Sequence, residues 1–151
     1  MDAERAHHLV FPVIQAAGLV APITRGLCAP DRSLRVRTLG LEFPSPFGIA
    51  AGFDKNGEAI LGLGALGFGH IEVGTMTRYA QDGNPRPRMS RLVEDRALIN
   101  RMGFNNKGAV DAVPRIERAR LKKNRPVIGV NIGKSRVTEV ENATADYVHS
   151  A

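Results

Sequence analysis

Pro46-Phe-Gly-Ile-Ala-Ala-Gly52, His70-Ile-Glu-Val-Gly-Thr75 and Val127-Ile-Gly-Val-Asn-Ile-Gly133 are the stretches whose reading decides the fold. Each is a short apolar run with glycine at or near its end, too brief for a buried helix and bounded as a buried strand is. Helical patterning follows each one, predicting helices over 57–66, over 107–121 and from about Asn142 to the last residue. Buried strands alternating with helices indicate βαβ units and a parallel sheet with right-handed crossovers. A Pro- and Arg-rich insertion, 76–106, separates the second strand from its helix, and insertions of that length are usually functional or disordered. A closed eight-stranded barrel takes roughly 250 residues. The 151 residues here therefore read as a small open sheet or as the first three βα units of an incomplete barrel.

Upstream, Leu34, Val36 and Thr38 alternate with Arg35 and Arg37, which predicts a half-exposed strand turned by Gly40 toward Phe43. Before that the period is helical. Ala6, Leu9, Val10, Val13, Ile14 and Ala17 share one stripe, Asp2 is the expected N-cap, Gly18 the expected stop, and Pro12 is expected to kink the helix. Pro22 then opens a second short helix. The stripe suits packing against a domain or lying in a membrane interface. The expected division is an amphipathic helical segment over 1–30 and the α/β unit over 31–151.

Composition narrows the partners. The formal charge is +6, carried by sixteen arginines and five lysines against fifteen acidic residues. Such a balance suits nucleic acid, an anionic membrane surface or anionic small ligands. Trp is absent, Tyr occurs twice, and the arginines scatter over loops instead of striping one helix, so no nucleic acid is expected. Cys28 is the only cysteine, which excludes an internal disulfide and suits a reducing compartment. No apolar run approaches the roughly 20 residues that span a bilayer.

Ligands of parallel α/β folds gather at the C-terminal ends of the strands. Those ends carry Ala50-Ala-Gly-Phe-Asp-Lys55, Gly74-Thr75 and Asn131-Ile-Gly-Lys134. No dinucleotide or P-loop fingerprint is present, and no Cys/His cluster has metal spacing. The insertion adds a rigid cationic turn, Gly83-Asn-Pro-Arg-Pro-Arg88, then Arg91 on a short strand, then Leu98-Ile-Asn-Arg-Met-Gly-Phe-Asn-Asn106. Asn106 is expected to cap the helix that follows. Asn100 and Asn105 remain, and a side-chain amide offers a donor and an acceptor together, as an imide- or pyrimidine-like ligand requires.

These blocks, with Gly52-Phe-Asp-Lys-Asn-Gly-Glu58 and Gly67-Phe-Gly-His-Ile-Glu-Val-Gly-Thr75, strongly resemble the quinone-dependent (class 2) dihydroorotate dehydrogenases over essentially the whole chain. The resemblance implies an FMN-containing TIM barrel that oxidises dihydroorotate to orotate in de novo pyrimidine synthesis and passes the electrons to a membrane quinone. It implies a peripheral protein on the cytoplasmic side of the cell membrane, resting on an anionic surface. Carried over by position, Ala51, Gly52, Phe53, Asp54 and Lys55 line the flavin, and Lys55 also reaches the substrate. Thr75 and Asn131 hydrogen-bond the flavin. Asn100, Arg101, Met102, Gly103 and Phe104 form the orotate segment, with Asn100 and Asn105 pairing the pyrimidine. His7 and Arg91 line the quinone tunnel, which favours a membrane-facing role for the N-terminal stripe. Ser90 and Arg78-Tyr-Ala80 depart from the family pattern. The family's serine base and phosphate-gripping loops fall beyond residue 151, so the stretch is expected to be inactive alone. The alternative is a non-catalytic half-barrel that self-associates through its open strand edges.

Overall fold

The computed structural model describes residues 2–151. Helix α1 spans Ala3–Leu19, and the Asp2 carboxylate accepts from the Arg5 N–H at 3.0 Å, the expected N-cap. The helix runs through Pro12 and past Gly18, so neither ends it. Gly18 serves packing instead. A Cβ there would press on the backbone of Gly62, and a Cβ on Gly62 would overlap the Ile14 carbonyl oxygen. Two bare glycines let α1 and the helix beneath it approach backbone to backbone. Helix α2 (Ala21–Cys28) opens with Pro22 in its first turn, as anticipated.

The buried side of α1 also differs from the predicted stripe. Glu4 and Ile14 are buried, and His7, Phe11 and Gly18 are half-buried on the same face. Leu9, Val10 and Val13 are 65%, 54% and 68% exposed. The periodicity located a helix, but its more apolar face points outward.

Next, Leu34 belongs to a 3₁₀ turn (Arg32–Leu34) capped by Asp31 and not to a strand. The strand is only β1 (Val36–Thr38), paired antiparallel with β2 (Leu41–Phe43) through Leu39 and Gly40, both at positive φ. Both faces of β1 are exposed, so the alternation there marks no buried side.

The three stretches quoted first become β3 (Gly48–Ile49), β4 (His70–Thr77) and β7 (Val127–Gly133). They form a parallel sheet in the order β3-β4-β7. Helix α3 (Ile60–Ala65) follows β3, α4 (Ala109–Arg120) follows the insertion, and α5 (Ala143–Ser150) follows β7. All three helices are shorter than their patterns suggested. Ile71, Val73 and Met76 of β4 bury completely against Ile60 and Leu63 of α3 and Ala109 and Ala112 of α4. Within the insertion, β5 (Met89–Leu92) and β6 (Ala97–Asn100) make a hairpin that pairs only with itself.

Candidate active site

The C-terminal ends of β3, β4 and β7 meet at one place because backbone bonds tie them together. The Gly52 N–H donates to Gly74 O at 2.7 Å, and the Gly74 N–H donates to Asp54 O at 3.0 Å. The register of β4 against β7 shifts between Val73 and Met76, and such an irregularity re-aims the side chains beside it. Thr75 lies in that step. Its hydroxyl donates to Asn131 Oδ1 at 2.6 Å, and Asn131 Nδ2 donates to Glu72 Oε1 at 2.9 Å. Thr75 and Asn131, 56 positions apart, thus act as one polar pair across β4 and β7.

Asp54 has a different task from the one expected of it. Its side chain is fully buried, and its two oxygens accept from the N–H groups of Glu58 and Ala59 at 2.8 Å each. Burial pushes its carboxyl up, and those N–H donors oppose the rise. It braces the loop that carries Lys55, at the lining of the larger cleft. Lys55 donates to Gly52 O at 2.6 Å and stands 3.7 Å from Met102 Sδ. Burial lowers the Lys55 ammonium below the usual lysine range, Glu4 opposing and Arg88 adding to the effect.

Two clefts adjoin at this lysine. The smaller, about 490 Å³, is lined by Ala51, Gly52, Lys55 and Thr75 on the strand side and by Asn100 to Phe104 on the insertion side. Gly52 sits at φ +104° with nothing within 4 Å of its missing Cβ, so its backbone faces open space. The expected flavin-side and orotate-side residues are therefore brought together, with four exceptions. Asn131 lines neither cleft and is bonded to Thr75, while Phe53, Asp54 and Asn105 line the larger cleft. The Oδ1 of Asn105 is buried without a partner, an unmet acceptor that costs free energy until something donates to it.

The larger cleft is about 970 Å³. His7 meets Phe53 edge-on at 4.8 Å and Phe11 at 5.0 Å on its wall. Burial lowers the His7 imidazole, and the Lys55 charge adds to the effect. Arg91 lines neither cleft; it sits on exposed β5 opposite Leu98. The arginines that do reach this cleft are Arg86 and Arg88, both paired with Glu4. Glu4 Oε1 meets Arg88 Nη2 at 2.6 Å and Arg86 Nη2 at 3.0 Å, and Oε2 meets Arg88 Nε at 3.2 Å. The Arg88 bonds hold the Glu4 carboxyl at about 2, against the pull of burial. Sequence reasoning missed this pair, because nothing in the order of residues joins positions 84 apart. Asn106 does not cap α4 from the N-cap position, which is Gly108. Its side chain ties Thr77, Phe104 and Gly108 together instead.

Residues 33–151 match the family model described as dihydroorotate dehydrogenase. A protein of Clavibacter sepedonicus named dihydroorotate dehydrogenase (quinone) is 62% identical over 99% of this chain and 44% of its own length. A Leifsonia xyli protein of the same name is 59% identical over 99% of this chain and 44% of its own. The crystal structure of the Eimeria tenella enzyme in complex with ferulenol superposes with a TM-score of 0.79 at 42% identity, covering 96% of this chain and 38% of that one. The chain thus spans about 44% of the length of the curated relatives it matches.

Proposed function

The chain belongs to the dihydroorotate dehydrogenase family, and from that premise we propose that it forms the flavin- and substrate-facing part of a quinone-dependent dihydroorotate dehydrogenase. In this reading β3, β4 and β7 are the first three strands of a (β/α)₈ barrel, residues 31–151 belong to that barrel, and residues 1–30 are a helical segment applied to its side. The observation that carries the proposal is Lys55, a half-buried cation bonded to the flavin-side loop and in contact with Met102 of the substrate-side segment.

The residues present fit FMN. Gly52 leaves a flat backbone face, Thr75 and Asn131 supply a donor and acceptors at one edge, and Lys55 supplies positive charge. FMN, when bound, supplies the acceptor for the electrons taken from dihydroorotate. Lys55 neutralises negative charge on the substrate carboxylate or beside the ring system, where a preorganised cation outperforms water. Asn100 and Asn105 orient the pyrimidine edges from opposite sides, and the unpartnered Asn105 Oδ1 accepts an imide N–H. We assign no group among residues 2–151 to proton removal.

The larger cleft suits a quinone ring, since its wall at His7, Phe11 and Phe53 is aromatic and Lys55 borders both clefts. Arg91 belongs to this proposed site through β5, whose first residue, Met89, lines the same cleft. No single helix among the described residues is long and apolar enough to cross a membrane. The outward face of α1 and α2, with Leu9, Val13, Ile23 and Leu27 exposed, supports peripheral attachment to an anionic bilayer on the cytoplasmic side.

The test joins residues 1–151 to the remaining length of the Clavibacter sepedonicus relative and follows quinone reduction by dihydroorotate. Lys55→Ala is expected to lower turnover about 10²-fold, as for loss of one transition-state charge partner. Near-wild-type turnover would overturn the assignment.

A further inference from the structure

The segment from Arg101 to Gly103 forms one wall of the smaller cleft, and its three consecutive carbonyls all accept from amide donors of the insertion. Arg101 O accepts from Asn84 Nδ2 at 2.6 Å, Met102 O from the Asn84 N–H at 2.9 Å, and Gly103 O from Gln81 Nε2 at 3.0 Å. Two amide residues therefore take all three of the wall's carbonyls. Both amides are in turn held from behind by one residue on a different strand-end loop. The Arg136 N–H donates to Gln81 Oε1 at 2.9 Å, and Arg136 Nη2 donates to Asn84 Oδ1 at 2.5 Å, with Nη1 reaching Gly83 O at 3.4 Å.

The direction of these bonds matters. A side-chain amide presents either its oxygen or its NH₂ to a neighbour, and the two ends are nearly the same size. The groups that Arg136 offers are donors only, so each amide must turn its oxygen toward Arg136. Each NH₂ is then left facing the carbonyls of the wall. Were Asn84 to flip, its oxygen would confront Arg101 O and the wall would be pushed off.

We infer that Arg136 is a positioning residue for substrate: through Gln81 and Asn84 it sets the backbone of 101–103, and so the placement of Asn100 and the Met102–Lys55 contact. The inference rests on the proposed reading of residues 100–104 as the orotate-binding segment. It also explains why the turn is tight. Gly103 has φ +76°, and its missing Cβ would lie 3.0 Å from Asn84 Cγ, so the wall is seated directly on the clamp. The residue after it, Phe104, also has positive φ, at 54°. Left-handed backbone at a non-glycine residue persists where surrounding bonds hold it there.

Two measurements test this separately. In the 151-residue chain, hydrogen exchange of the Asn84 amide reports whether the wall is closed on its clamp. Arg136→Ala is expected to speed that exchange about tenfold, the scale of one charge-assisted bond. Arg136→Lys is expected to recover most of the protection, because an ammonium still donates to Asn84 Oδ1. In the protein joined to the rest of the Clavibacter sepedonicus relative, Arg136→Ala is expected to weaken orotate binding about tenfold, with turnover at saturating dihydroorotate changed less than about threefold. Unchanged Asn84 exchange overturns the clamp. Faster exchange with unchanged orotate affinity overturns its role toward substrate. If the unsubstituted joined protein binds no orotate, the reading of 100–104 fails, and the exchange data still decide whether Arg136 holds the wall.

Discussion

Helix α1 and the β5–β6 hairpin both lie outside the repeating βα pattern, both border the clefts, and both expose large apolar side chains. They are held in opposite ways. One edge of α1 is buried: Glu4 is locked to Arg88, and Ile14 and Gly18 sit against Gly62. The hairpin pairs with itself alone, and residues 90–100 are exposed throughout. A segment with a buried face has a fixed position relative to the site, and a segment without one depends more on its base. Here that base is Arg88 O accepting from the Arg101 N–H at 2.9 Å. The wall of the larger cleft near His7 is thus preorganised by burial, whereas the hairpin that carries Arg91 has its side chains largely in solvent.

The sharpest way to break this contrast is Glu4→Ala. Arg88 has only 6% of its side chain exposed, and removing its carboxylate leaves a buried cation with only carbonyls for partners. Breaking a buried pair from one side costs about 3–5 kcal/mol, and α1 should lose its dock before the sheet unfolds. Limited proteolysis within residues 3–19, set beside denaturant unfolding, reads both. The same pair predicts a pH dependence. The folded carboxyl titrates at about 2 and the free one at 4.5, so the stabilisation is complete above 4.5 and is lost as pH falls toward 2. Glu4→Gln should abolish that dependence in α1 protection. A Glu4→Gln chain that still releases α1 over this window would place the titrating group elsewhere.

Gly62→Ala should act on the same helix with a smaller effect. The added methyl meets backbone at Ile14, which cannot rotate aside as a side chain could, so α1 must lift. Overpacking of this kind costs about 1–3 kcal/mol. A Gly62→Ala chain with unchanged α1 protection would show that the helices are not in backbone contact.

How far the sequence carried the reading follows from the same contrast. The parallel sheet was legible because β3, β4 and β7 fall in short, mainly apolar stretches with glycine at or near their ends, a local signal. Lys55, Thr75 and the wall at 101–103 were legible because they stand at strand ends or in motifs that resemble a family. The docking face of α1 was not, since helical period sets which residues share a face and not which face is covered. Leu9 and Val13 are more apolar than His7, yet His7 turns inward because Phe53 and Phe11 stack with it. Asp54 was placed at the flavin by the resemblance alone, and the two backbone N–H groups that its carboxylate accepts from are set by the turn of the chain after it. The Arg136 clamp is illegible for a plainer reason: its partners, Gln81 and Asn84, lie more than fifty positions away.

The mildest expected effect belongs to the hairpin, through Ile99→Ser. Ile99 faces Ser90 across the two strands and is 57% exposed. Little apolar area leaves water when its side chain folds into place, and serine keeps the backbone pairing with Ser90 intact. Surface substitutions away from caps, cavities and ion pairs stay within about 0.5 kcal/mol, and Ile99 has none of those features. The unfolding midpoint of the 151-residue chain should therefore hardly move, while exchange of the Ser90 and Ile99 amides should quicken slightly as β-propensity falls. A loss above about 2 kcal/mol would mean that the hairpin buries Ile99 as firmly as α1 buries Ile14, since costs of that size come from emptied cores. The hairpin would then be as firmly seated as α1, and the contrast between the two arms would collapse.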